Sequence, residues 1–154
     1  MFRRSLVLVC SAVALIVVSI VGTGAANARP YEAPRISQYS QDIWSVGANN
    51  GCRGAIHVGI QVDQQQPGKA FITLTPRAFV GDGPGWQRNP VCKIRSKVVV
   101  DFFRSTPQWE RTVTAGPRGG RQIRLTVTPG SGLHQIVVGG TGTSVGSANY
   151  LIVP

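Results

Sequence analysis

Acidic side chains are scarce in this chain. Six Asp and Glu stand against 16 Lys and Arg in 154 residues, a formal net charge of +10. That balance predicts attraction to polyanions, whether nucleic acid, anionic lipid headgroups or acidic wall polymers. A soluble exported protein of high pI would show the same balance without such a partner.

Histidine and cysteine are scarce too, and this narrows the chemistry. There are 2 histidines, His57 and His134, and 3 cysteines with no C-x-x-C among them. Such a set makes a poor metal site, so neither a metal nor another cofactor is expected. No G-x-x-x-x-G-K string occurs, which excludes a phosphate-binding loop of that type. Gly142-Thr143-Ser144-Val145-Gly146 matches the nucleophile-elbow string G-x-S-x-G, but no Asp, Glu or His follows it. The elbow needs a strand–turn–helix context with an acid and a histidine downstream, so this is expected to be a glycine-rich loop. His57, His134 and Glu110 could act as acid and base on a phosphodiester, as in a small exported hydrolase. Nothing in their local spacing brings them together, and a non-enzymatic protein is expected.

Sustained helical periodicity is also missing from the mature part of the chain. At its start, Arg3 and Arg4 precede an apolar run over Leu6–Val21, and Ala26-Asn27-Ala28 offers a small-x-small site. These are the parts of a cleaved signal peptide, residues 1–28, with the mature chain beginning at Arg29. A retained membrane anchor is the alternative, since the run approaches the length of a bilayer span. Arg3-Arg4 lies in a poor context for twin-arginine export, and Cys10 lacks the small residue that lipidation needs before it, so Sec export is expected. The product is expected in the medium or the cell envelope.

Once Cys10 leaves with the leader, Cys52 and Cys92 remain, and two cysteines in an exported chain are expected to pair.

Residues 29–41 contain Pro30 and Pro34 among polar side chains and read as an extended N-terminal arm. A single domain follows over 42–154, a length suited to one core. Asp42–Val46 reads as a first short strand. Gly54–Asp63 alternates apolar and polar residues with a period of two, and Ala70–Thr75 returns after Pro67-Gly68, a pair suited to a type II turn. Pro76–Pro90 reads as a long loop without regular structure, packed down by Phe79 and Trp86. Trp109–Ala115 and Arg121–Thr128 read as a hairpin with Ala115 opposite Arg121 and Thr112 opposite Arg124. Leu133–Val138 is apolar on both faces, as in a central strand. Gly139–Gly146 reads as a loop, and Tyr150–Val153 as a last strand. Strands and turns at this spacing predict an all-β, single-domain antiparallel β-sandwich, immunoglobulin-like in one version, with a barrel as the alternative.

The most informative stretch is Val91–Arg104. Cys92, Ile94, Ser96, Val98, Val100 and Phe102 share one face, while Lys93, Arg95 and Lys97 recur on the other. The pattern is that of a half-buried strand with a basic outer face, its cations about 7 Å apart. Arg118, Arg121 and Arg124 would extend this patch if the second hairpin lies beside the strand. Trp86, Phe103 and Trp109 could add stacking surfaces, although core packing accounts for them as well. An edge strand whose lysines deter aggregation would carry the same row of charge.

Three functions remain in play. The first is a binding or envelope-associated protein that holds an anionic polymer, membrane or wall surface on Lys93, Arg95 and Lys97. The second is a protein-interaction or protease-inhibitor-like module presenting the 81–91 loop beside Cys92 to a protein partner. The third is the small hydrolase already described.

Overall fold

A computed structural model describes residues 29–47, 51–101, 108–140 and 143–154. Residues 1–28, expected to be a signal peptide, and Phe102, Phe103 and Arg104 lie outside the described residues. The chain forms two antiparallel sheets packed face to face as a sandwich. Sheet A runs β11-β3-β4-β5-β9, with β1 also on β4, and sheet B runs β2-β12-β10-β6-β7-β8. In chain order the strands are β1 (Tyr31–Glu32), β2 (Arg35–Gln38), β3 (Asp42–Val46), β4 (Arg53–Val62), β5 (Ala70–Val80) and β6 (Cys92–Val100). The rest are β7 (Gln108–Gly116), β8 (Gly119–Gly120), β9 (Ile123–Val127), β10 (Gly132–Gly140), β11 (Thr143–Val145) and β12 (Ser147–Val153). β3, β4 and β5 are neighbours in both sequence and sheet, whereas the corresponding immunoglobulin sheet reads A-B-E-D.

Period-two patterning builds the core. Ile56, Val58, Ile60 and Val62 of β4 and Ile72 and Leu74 of β5 are fully buried. From sheet B come Ile94 and Val98 of β6, Val113 of β7, Ile136 and Val138 of β10 and Leu151 of β12. Pro67-Gly68 makes the expected turn: Lys69 N–H donates to Gln66 O, and Gly68 has φ 73°. Asn149 is a buried polar group with its needs met. It accepts from Ser37 Oγ and donates to Ser147 Oγ, at 2.8 and 3.0 Å.

Four stretches differ from the expectation. Residues 29–41 form no separate arm, because β1 pairs with β4 in sheet A and β2 pairs with β12 in sheet B. Where the chain switches sheets, β4 lacks a strand partner between β1 and β3, and side chains and loops fill the gap. Arg35 Nη2 donates to Val58 O at 2.9 Å, Gln41 O accepts from Val58 N–H at 2.8 Å, and Ile60 O accepts from Ala33 N–H at 2.9 Å.

The second difference lies in 76–90. β5 runs on to Val80, and Gly83–Arg88 forms a short helix, α1. Pro76 is tolerated because the β4–β5 register shifts there: Ile56 pairs with Pro76 but Gly54 with Phe79, leaving an extra residue on β5. Pro84 lies in the first helical turn, where a missing N–H costs nothing. The expected packing by aromatics does hold. Phe79 is fully buried over Gly54, and Trp86 packs against the core over Gly81.

The third is the second hairpin. On the side away from β6, β7 meets only β8 among the described residues, through Ala115–Gly120 and Gly116–Gly119, before the chain crosses to sheet A. There β9 pairs with β5, placing Ile123 opposite Leu74 and Leu125 opposite Ile72. The apolar alternation of β9 is satisfied against the open edge of β5, so its cross-strand partners are not those of β7. The fourth is the glycine-rich 139–146 segment, in which β10 continues to Gly140 and Thr143–Val145 pairs with β3 as β11.

Candidate functional site

β6 delivers the basic row as its alternation requires. Cys92, Ile94, Ser96 and Val98 point into the sandwich, while Lys93, Arg95 and Lys97 are exposed on the outward face of sheet B. β6 is an interior strand, flanked by β10 and β7. Protection of a sheet edge does not account for Lys97, which has strand partners on both sides; among the described residues β10 pairs with β6 only from Ser96 to Val100, so Lys93 and Arg95 are paired on the β7 side alone.

The cross-strand register defines what surrounds the row. Lys93 pairs with Thr114, Arg95 with Thr112 and Lys97 with Glu110 on β7. On the other side Lys97 pairs with Gly139 of β10. A Cβ at Gly139 would meet nothing within 4 Å, so this flank of Lys97 is open. The result is a shallow hollow lined by Arg95, Lys97, Val99, Glu110, Val137 and Gly139.

Most of the scarce carboxylates are engaged elsewhere. Glu32 pairs with Arg35, Asp42 with His57, Asp82 with Arg53 and Asp101 with His134. Asp63 accepts from Gln65 N–H and Gln66 Nε2. The hydrogen bond from Arg53 to Asp82 raises the Arg53 pKa, whereas burial lowers that of Arg35. Neither Arg95 nor Lys97 joins an ion pair among the described residues.

The other expected arginines are divided between the two sheets. Arg118 is exposed in the β7–β8 turn, and Arg121 is exposed where the chain crosses to sheet A. Arg124 lies in sheet A, its guanidinium 4.9 Å from the centre of the Phe71 ring. Separation of β7 from β9 moves Arg124 off the basic face. Trp86 and Trp109 pack partly buried against the core.

The groups of the hydrolase alternative are likewise divided. His57 stands on β4 of sheet A, with Nδ1 2.7 Å from Asp42 Oδ1. His134 stands on β10 of sheet B, with Nδ1 2.9 Å from Asp101 Oδ2. Glu110 is on the outward face of β7, across from Lys97. Among the described residues, no group of three or more His, Cys, Asp and Glu could hold a metal ion.

Cys52 and Cys92 form the expected disulfide, with Cα atoms 5.8 Å apart, linking the two sheets at one end. It fixes the start of β6 and thus the first turn of the basic row. The 81–91 segment leads into that end, but as helix α1 and a short connection.

Sequence reasoning missed an apolar area on the same outward face. Ile36, Leu133 and Ile152 are 76%, 72% and 68% exposed, with Tyr150 beside them at 37%. Leu133 pairs with Ile152, and Ile36 with Tyr150. The available signal was Leu133–Val138, apolar on both faces: β10 is central in its sheet, yet among the described residues no second layer covers its outer side. On sheet A, Trp44 is 58% exposed and lines a hollow with Val46 and Val80, another feature that strand patterning alone did not reveal.

Together these features define a disulfide-linked antiparallel β-sandwich with one cationic sheet face. No protein-family model, curated protein or solved structure matches the chain.

Proposed function

We propose that this is an exported, non-enzymatic binding protein of the medium or cell envelope, which holds an anionic partner on the outward face of β6. The observation that carries the reading is the exposure of Lys93, Arg95 and Lys97 in a row along one face of β6, with Glu110 as the one acid across the β6–β7 ladder. Like charges in a row oppose folding, and an anion laid along the row would offset that repulsion. Threonines at the other two β7 positions neither neutralise nor crowd the cations.

Retention on a heparin column tests the reading. Lys93→Gln/Arg95→Gln/Lys97→Gln should elute at much lower salt than the unmodified protein. Arg77→Gln/Arg88→Gln/Arg124→Gln removes equal charge elsewhere and should elute close to it. Equal losses in the two variants would mean that bulk charge, and not this face, holds the polymer.

A further inference from the structure

The outward face of sheet B has two halves, and the anionic-partner reading uses only one. Ile36 on β2, Tyr150 and Ile152 on β12 and Leu133 on β10 form an exposed apolar corner. Ala148, Val137 and Val99 follow in register across β12, β10 and β6. Next along β6 come Lys97, Arg95 and Lys93. The apolar corner therefore grades into the basic row on one sheet surface. β2, β12, β10 and β6 are successive strands, and each step turns the surface by about 20–25°.

A soluble polyanion would neutralise the cations and leave the aliphatic corner in water. A surface that is anionic at its headgroups and apolar just beneath them satisfies both halves. Resting on that anionic-partner reading, we infer that the sheet B face docks on an anionic lipid surface. Ile36, Leu133 and Ile152 enter the acyl boundary, while Lys93, Arg95 and Lys97 meet the headgroups. Tyr150 suits the interface between them, since its ring is apolar and its hydroxyl accepts from Gln135 Nε2 at 2.6 Å. Charge complementarity selects this occupant: the face presents three cations and one carboxylate beside an uncovered aliphatic corner. Each cation near an anionic leaflet should strengthen binding about fivefold.

The test is co-sedimentation of the protein with phosphatidylcholine vesicles, with and without phosphatidylglycerol, alongside heparin retention. The protein should bind the phosphatidylglycerol vesicles and be left behind by pure phosphatidylcholine. Ile36→Ser/Leu133→Ser/Ile152→Ser should bind vesicles at least about tenfold more weakly yet keep its heparin retention. These positions are exposed, and an unchanged thermal midpoint will show that the variant folds. Lys93→Gln/Arg95→Gln/Lys97→Gln should lose both activities. Heparin retention without vesicle binding would overturn the lipid inference and leave the anionic-partner reading standing; loss of both in the unmodified protein would end both. A concentration-dependent dimer abolished by the serine substitutions would overturn it as well, assigning the corner to a second copy of the chain.

Discussion

Lys97 on β6 and Glu110 on β7 occupy partnered positions, so the acid beside the basic row stands directly across from its last cation. Opposed charges at such positions contribute about 0.2–1 kcal/mol. The two side chains form no ion pair in the structure, so Glu110 acts by lowering the positive potential of the unliganded face and by competing with any incoming anion. Glu110→Gln should tighten binding to heparin or anionic vesicles about two- to fivefold, with a small loss of folding stability. Isothermal titration and urea unfolding of the same variant measure the two effects, and weaker binding would contradict the assignment of this face.

The disulfide gives a second expectation. Cys52 and Cys92 enclose a sequence separation of 40, for which chain entropy gives about 3.5–4 kcal/mol of stabilisation. Cys52→Ala/Cys92→Ala should lower the urea midpoint accordingly. Gly47 lies against both sulfur atoms, and a Cβ there would collide with Cys52 Sγ and Cys92 Sγ. Gly47→Ala should destabilise the oxidised protein more than the cysteine-free one, read by unfolding the two backgrounds side by side. Thiol titration of the unfolded, unreduced mature protein should find none; about two per chain would refute the pairing.

Arg35 closes the gap in the β4 ladder. Its side chain is only 3% exposed, and it reaches both Val58 O and Glu32 Oε1. Arg35→Met keeps much of the volume but strands a buried carbonyl, a loss of about 1–3 kcal/mol. Arg88→Met, on the exposed face of α1, should change stability by less than about 0.5 kcal/mol. Comparable losses in the two variants would remove Arg35 from this role.

Phe79 anchors the end of β5 beyond the register shift. Truncation to Ala should cost about 3–5 kcal/mol, as for other fully buried phenylalanines. A cost near that of a surface substitution would show that the 76–90 segment is held by something else.

Local patterning made much of this fold legible. β4 and β6 alternate so regularly that their buried and exposed faces follow from the sequence, and the expectation of export made Cys52–Cys92 the expected pair. Pairing between distant strands was harder to infer. β7 and β9 flank a glycine-rich turn, so a hairpin satisfied every local rule; only the open edge of β5 and its cross-strand contacts decide otherwise. Pro76 opened and Pro84 lay within the segment read as a loop, yet one sits at a bulge and the other in a first helical turn, both places where proline is tolerated. The basic row was legible because its residues occupy every second position of one strand. The apolar corner was not, since Ile36, Leu133 and Ile152 meet only once β2, β10 and β12 pair, and exposure is a property of the assembled sheet.

The most direct test of the central claim is the salt dependence of binding to a single-stranded polyanion of defined length. Its affinity should fall linearly with the logarithm of salt concentration. Lys93→Gln/Arg95→Gln/Lys97→Gln should reduce that slope by about two, near 0.7 for each lost phosphate contact. The matched Arg77→Gln/Arg88→Gln/Arg124→Gln variant should keep most of it. An unchanged slope and affinity in the β6 variant would contradict the account.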